Sequence, residues 1–159
     1  MNQEDKVSVL LVCMGNICRS PTAEAVFRRQ VQEAGLEHAV HIDSAGTHDY
    51  HIGKAPDRRA QEAAAGRGYD LSGLRGRQVA RADFAAYDYI LAMDRDNYAN
   101  LLRLCPDEHR HKLRLFLSFS ERYPDQEVPD PYYGGRQGFD LVLDMVEDGA
   151  RGLLKEILE

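Results

Sequence analysis

The sequence predicts an α/β fold: a four-stranded parallel sheet with helices on both faces, stacked as a three-layer sandwich. Three observations carry this. Short apolar runs alternate with helical stretches in the order β-α-β-α-β-α-β-α, and strands separated by helices pair in parallel. The first run, Val7 to Val12, is β-branched and nearly all apolar, as in a strand buried on both faces. The 159 residues suffice for a single domain, spanning 1–159, with its own core and no need of disulfides or structural metal.

The elements follow in order. After the first strand, Pro21 sits where a helix can start, because its missing N–H has no partner in a first helical turn. Ala23, Glu24, Ala25, Val26 and Phe27 continue that helix, and Gly35 ends it. His38 to Ser44 reads as the second strand. Pro56 opens an Ala-rich helix through Ala65, closed near Gly66-Arg67-Gly68. Tyr87 to Met93 is the third strand, and Asp94 is a natural N-cap for a helix through Leu104. Lys112 to Leu117 is the fourth strand. A Pro- and Gly-bearing loop runs from Tyr123 to Gly135. The last helix covers Gln137 to Leu158, with Phe139, Leu143, Val146, Leu153 and Leu154 facing the core.

Composition narrows the function. Lys plus Arg is 20 and Asp plus Glu is 26, a net charge of −6, which argues against binding nucleic acid or anionic membranes. No apolar run approaches the roughly 20 residues of a membrane-spanning helix. The segment from Met1 to Lys6 is polar and mixed in charge, unlike a secretory signal. Three cysteines cannot make a complete disulfide framework, and the simplest expectation is a reduced, cytoplasmic protein.

Open parallel sheets bind ligands at the carboxyl ends of their strands, so the turn after Val12 is the first place to look. It reads Cys13-Met14-Gly15-Asn16-Ile17-Cys18-Arg19-Ser20-Pro21. A strand-to-helix turn can aim several backbone N–H groups into one concavity, and the helix N-terminus adds a positive dipole end. Gly15 eases the turn, and Arg19 offers a planar fork for two phosphoryl oxygens. Cys13 lies at the mouth of this concavity. Helix termini and cations lower thiol pKa values from about 8.5, so the surroundings favour a thiolate, and Ser20 can donate a hydrogen bond to it. Taken singly, Cys13 reads as a buried strand-end residue and Arg19 as a surface ion-pair former. The joint pattern Cys-x5-Arg-Ser-Pro, between a strand and a helix, points instead to a nucleophile inside a receptor for a dianion.

The stretch from Val12 to Ala25 closely resembles the signature of the low-molecular-weight protein tyrosine phosphatases. Asp43-Ser44-Ala45-Gly46-Thr47, Tyr89-Ile90-Leu91-Ala92-Met93-Asp94 and Val128-Pro129-Asp130-Pro131-Tyr132 follow in the family's order, so the resemblance covers essentially the whole chain. It implies a flavodoxin-like strand order and a cytoplasmic enzyme that hydrolyses phosphotyrosine through a phosphocysteine, with neither metal nor cofactor. Its implied partners are phosphotyrosine proteins, a cognate tyrosine kinase among them by analogy, with no nucleic acid and no membrane insertion. Cys13 is then the nucleophile. Arg19, Ser20 and the loop residues Met14, Gly15, Asn16, Ile17 and Cys18 bind the phosphate.

The resemblance makes Asp130 the general acid and base, where the residues alone show only a common Asp-Pro turn. It makes Asn16 and Ser44 polar braces of the loop, and Tyr50 and Tyr132 aromatic walls with Tyr133 beside them. A related phosphoarginine-phosphatase pattern carries Thr where this chain has Ile17, which favours phosphotyrosine. One position departs from the family: Leu74 stands where a His is usual.

Other residues stay outside this scheme. Cys18 reads either as a partner that captures an oxidised Cys13 as a disulfide or as a small buried filler. Cys105 reads as structural, His48 and His51 as solvated loop histidines, and Arg75, Arg77 and Arg81 as a solvated basic face. Arsenate reductase, which shares the fold and the Cys-x5-Arg loop, needs further thiols, and Ser72 to Met93 has none. A catalytically dead phosphotyrosine-binding module is disfavoured by Cys13, Arg19, Ser20 and Asp130 occurring together.

Overall fold

The computed structural model describes residues 6–124, 126–131 and 135–159. Its strands are β1 (Val7–Cys13), β2 (Val40–Gly46), β3 (Tyr89–Ala92) and β4 (Leu113–Leu115), all parallel in the order β2-β1-β3-β4. Its helices are α1 (Arg19–Glu33), α2 (Arg58–Ala65), α3 (Arg81–Ala86), α4 (Arg95–Leu104) and α5 (Arg136–Leu158). β1 lies between β2 and β3, in register from Val7 opposite Val40 to Cys13 opposite Gly46, and Val9 to Val12 are wholly inaccessible to solvent.

Alternation along β1 divides the core. Val9, Leu11 and Cys13 join one cluster with Phe27 of α1 and Leu143, Val146 and Leu153 of α5. Leu10 and Val12 join another with Ala45, Phe84, Ile90 and Leu101. Every crossover returns the chain so that the strands end at one edge, and Cys13, Gly46 and Ala92 sit together there.

The helical signals hold with shifted ends. α1 begins at Arg19, ahead of Pro21, and the chain leaves it through Gly35 at φ 73°. α2 begins two residues after Pro56, because Asp57 accepts a hydrogen bond from the Arg59 backbone N–H and serves as the cap. β2 starts and ends two residues later than the sequence suggests, and α5 begins at Arg136.

Three features differ more. Tyr87 closes α3, a helix the sequence reading lacks, so β3 is shorter than expected. Ala80 has no capping oxygen, and its backbone N–H donates to Asp83 inside the helix instead. Lys112 ends a 3₁₀ turn, Asp107–Lys112, and Phe116–Phe119 forms another, leaving β4 three residues long. α5 presses on that second turn so closely that a Cβ at Gly152 would collide with the Phe119 carbonyl oxygen. Finally, Arg77 is not part of a solvated basic face. It is half-buried and pairs with Asp43 and Asp83, each at 3.0 Å, while Arg75 and Arg81 are exposed.

Candidate active site

The turn between β1 and α1 wraps a concavity, and its backbone is tied from outside. The carbonyls of Cys13, Met14 and Ile17 accept from the backbone N–H groups of Thr47, His48 and Asp57 at 2.9, 3.0 and 2.7 Å. The Cys18 carbonyl accepts from the Thr22 hydroxyl at 2.6 Å. Because C=O and N–H lie on opposite sides of a planar trans peptide, anchoring these carbonyls outward turns the next N–H groups inward. Those belong to Met14, Gly15, Cys18 and Arg19.

Asn16 is the one non-glycine residue at positive φ among the described residues, at 59°, a conformation Asn tolerates better than most. Its side chain holds the turn from both ends. Nδ2 donates to Ser20 Oγ at 2.8 Å and Ser44 Oγ at 3.0 Å, and Oδ1 accepts from the Arg77 backbone N–H at 3.0 Å. Leu74, at the family's usual His position, packs against the apolar core. Gly46 backs the turn, and a Cβ there would lie 2.7 Å from the Met14 carbonyl oxygen.

Cys13 Sγ lies 3.0 Å from Ser20 Oγ and accepts from the Asn16 backbone N–H at 3.3 Å. Arg19 is 3% exposed. Its Nη1 donates to Asp94 Oδ2 at 2.5 Å and to the Val128 carbonyl at 3.0 Å, and its Nη2 is 3.9 Å from Asp130 Oδ2. Burial pushes the Arg19 pKa down, but the charges of Cys13, Asp94 and Asp130 more than reverse that, so the guanidinium stays charged. Val128 is tied to the end of β3 through its N–H on the Met93 carbonyl at 2.8 Å, which brings the Asp130 loop to the sheet edge.

These groups line a cavity of about 250 Å³. Cys13 and Arg19 share it with Met14, Gly15, Ile17 and Cys18, and Tyr50, His51 and Asp130 complete the lining. Tyr50 is exposed and stacks on His48, with ring centroids 5.2 Å apart. His48 and His51 are half-buried rather than solvated, and His51 is a lining residue that sequence reasoning passes over. Tyr132 and Tyr133 lie outside the described residues. Burial pushes the Cys18 thiol strongly up, reinforced by the negative charges of Asp57, Cys13 and Asp130. Cys18 is thereby kept protonated beside the Cys13 sulfur.

Sequence reasoning also misses Asp94 as the anchor of Arg19. Its place directly after β3, at the ligand-binding edge of the sheet, was the available signal. Among the described residues, no group of three or more His, Cys, Asp or Glu side chains is placed to hold a metal ion. None of their helices is long and apolar enough to cross a membrane.

A cysteine sulfur set among inward N–H groups, a buried guanidinium beside it and a carboxylate at the rim are the arrangement of a cysteine-dependent phosphatase. Comparison with known proteins is specific. The sequence pattern of the low molecular weight phosphotyrosine protein phosphatases matches residues 8–159. The chain is 46% identical over 154 residues to a low molecular weight protein-tyrosine-phosphatase of Streptomyces coelicolor, covering 95% of this chain and 93% of the relative. It is 38% identical over 159 residues to the human low molecular weight phosphotyrosine protein phosphatase, covering 98% and 99%. A protein tyrosine phosphatase of Entamoeba histolytica superposes with a TM-score of 0.93 at 42% identity, covering 96% of this chain and 97% of the other. The chain belongs to the low molecular weight phosphotyrosine protein phosphatase family, and its activity is cysteine-based hydrolysis of phosphotyrosine.

Proposed function

We propose that Cys13, Arg19 and Asp130 carry this hydrolysis, within one catalytic domain that spans the chain. The observation that supports the assignment is the convergence of two segments distant in sequence, the turn that carries Cys13 and Arg19 and the loop that carries Asp130. Cys13 Sγ, the buried Arg19 and Asp130 line one cavity, with Asp130 Oδ2 3.9 Å from the guanidinium.

In the first step the Cys13 sulfur attacks phosphorus, and the bond to the tyrosine oxygen breaks as Asp130 delivers a proton to that oxygen. In the second, Asp130 takes a proton from water, which attacks the phosphocysteine. The S–P bond breaks, its electrons return to sulfur, and phosphate leaves. Arg19 and the inward N–H groups of the loop hold the equatorial oxygens throughout.

Ile17 and Tyr50 supply apolar and aromatic surface for the phenyl ring. A relative of this chain, Vibrio vulnificus Wzb, which superposes with a TM-score of 0.83 at 29% identity, was crystallised with benzylphosphonate. That ligand joins one aromatic ring to a phosphonate, the combination expected here. Phosphotyrosine proteins are the substrates, a cognate tyrosine kinase among them. A reducing compartment such as the cytoplasm suits a nucleophile that must remain a thiolate.

The test is rapid-quench turnover of a phosphorus-labelled aryl phosphate. Label should reside on Cys13 during turnover and be absent in Cys13→Ser. Asp130→Ala should slow phosphotyrosine cleavage by about 10²–10⁴-fold, and less for a good leaving group. Unchanged phosphotyrosine turnover in Asp130→Ala removes that residue from the mechanism.

A further inference from the structure

His51 lines the cavity, yet the steps above give it no task. Two segments make room for it by lacking side chains where it passes. A Cβ on Gly15 would lie 2.8 Å from His51 Cδ2, and one on Gly76 would collide with the His51 carbonyl oxygen. That carbonyl accepts from the Lys54 backbone N–H at 3.1 Å. The Gly53 N–H donates to the Gly76 carbonyl and the Gly76 N–H to the Lys54 carbonyl, both at 2.8 Å. These bonds join the two segments, so Lys54 and Arg75 belong to the same wall as His51.

The charge of this wall opposes that of the molecule. Lys54 and Arg75 are exposed, and neither is ion-paired among the described residues. Arg75 Nη1 donates to the Ser72 and Leu74 carbonyls at 2.8 and 2.6 Å, which orients the guanidinium without neutralising it. On the His51 segment itself, Asp49 is exposed, Tyr50 stacks on His48, and His48 Nδ1 lies 2.7 Å from Thr47 Oγ1. Beyond that segment Asp57 is paired with Arg59. From the other elements of the cavity come Cys13, Arg19 and Asp130, the last two facing each other at 3.9 Å.

With His51 neutral, Lys54 and Arg75 already outweigh Asp49, on a chain of net charge −6. A proton on His51 enlarges that excess, and histidine is the side chain whose charge ordinarily changes between pH ~5 and ~8. When a phosphotyrosine enters the cavity, Arg19 and the loop N–H groups take its phosphate. The residues on either side of it in the substrate chain are then left at the rim. A positive wall there attracts carboxylates and repels Lys and Arg.

We infer, on the reading that this cavity is where phosphotyrosine is cleaved, that the wall of His51, Lys54 and Arg75 docks an acidic side chain flanking the phosphotyrosine. His51 is its contact at the cavity itself, so the preference for acidic neighbours strengthens as pH falls and the imidazolium forms.

The test compares kcat/KM for two phosphotyrosine peptides, one with Glu on both sides of the phosphotyrosine and one with Gln. Glu remains largely ionised at about pH 5.5, and the titrations of the phosphate and of the catalytic groups cancel in the ratio. In the wild type the Glu-to-Gln ratio should exceed one at about pH 8 and rise a further two- to fivefold or so at about pH 5.5, the worth of one exposed ion pair. Added salt should shrink it. His51→Gln, which cannot take up a proton, should abolish the rise, and His51→Asn serves if that variant does not fold. Lys54→Gln should lower the ratio at both pH values and keep the rise. A merely space-filling His51 would change the two peptides alike and leave the rise intact. A wild-type ratio near one at both pH values, or an undiminished rise in the folded His51 variants, overturns the inference. A wild type that cleaves neither peptide overturns the catalytic assignment, and the inference with it.

Discussion

Asp94 performs two tasks with its two oxygens, and substitutions can separate them. Oδ1 accepts from the Asn97 backbone N–H at 2.7 Å and caps α4, while Oδ2 holds Arg19 Nη1 at 2.5 Å. In Asp94→Asn the cap still demands an oxygen facing Asn97, which turns the NH₂ towards a guanidinium that cannot accept it. The cap survives and the Arg19 bond is lost. In Asp94→Ala both go.

A charge-assisted hydrogen bond contributes about 1.5–3 kcal/mol, so either variant should lose roughly 10- to 100-fold in kcat/KM. Arg19 keeps its bond to the Val128 carbonyl, which limits the loss. Only the alanine variant loses the cap, so it should be less stable than the asparagine variant by about 1 kcal/mol, or roughly 2–4 °C in Tm for a chain of this size. Steady-state turnover of p-nitrophenyl phosphate, inhibition by orthovanadate and thermal melts supply the measurements. An Asp94→Asn enzyme within about twofold of wild-type kcat/KM would refute the claim that Asp94 positions the guanidinium.

Asp148 should make stability depend on acid. Burial pushes its carboxyl up, but bonds from the Ser120 hydroxyl and the Arg122 and Glu121 backbone N–H groups outweigh that and leave its pKa lowered. A lowered folded pKa contributes stability above the unfolded value near ~3.9 and loses it as pH falls through the folded value. Asp148→Asn should therefore be less stable than wild type at neutral pH, with the two converging in denaturant titrations below about pH 3. A gap independent of pH would contradict this. For the thiols, burial raises both Cys18 and Cys105, so iodoacetamide at neutral pH should label Cys13 and spare the other two in the folded protein. If Cys18 captures oxidised Cys13, peroxide-treated Cys18→Ser should recover less activity with thiol reductant than wild type does. Equal recovery leaves Cys18 as filler.

What was legible in the sequence was local. The apolar run Val7 to Val12 and the capping pattern at Asp94 each carry their signal within a few neighbours. So does the turn from Cys13 to Pro21, and each reappears in the fold. Cys13 and Arg19 are legible for the same reason: they share one turn. Residues whose partners are distant were not legible. Arg77 looks solvated among Arg75 and Arg81 until β2 and α3 bring Asp43 and Asp83 to it. α3 has an alanine at its cap and so lacks the usual first sign of a helix. Lys112 to Leu117 reads as a longer strand because periodicity cannot separate a buried strand from a buried 3₁₀ turn. The second role of Asp94 depends on a partner 75 positions away.

Cys13 hangs from a strand that is hydrogen-bonded on both sides. Backbone amides of Val9 to Val12 should thus be among the last to exchange with deuterium, opening only when the whole molecule melts. The segment 49–52, carrying Tyr50 at 63% and Ile52 at 56% exposure, can open in smaller fluctuations. The entrance can therefore breathe while the phosphate seat stays assembled. A tightly held oxyanion will slow exchange in the central strand through mass action on the global equilibrium, a readout of binding that needs no turnover.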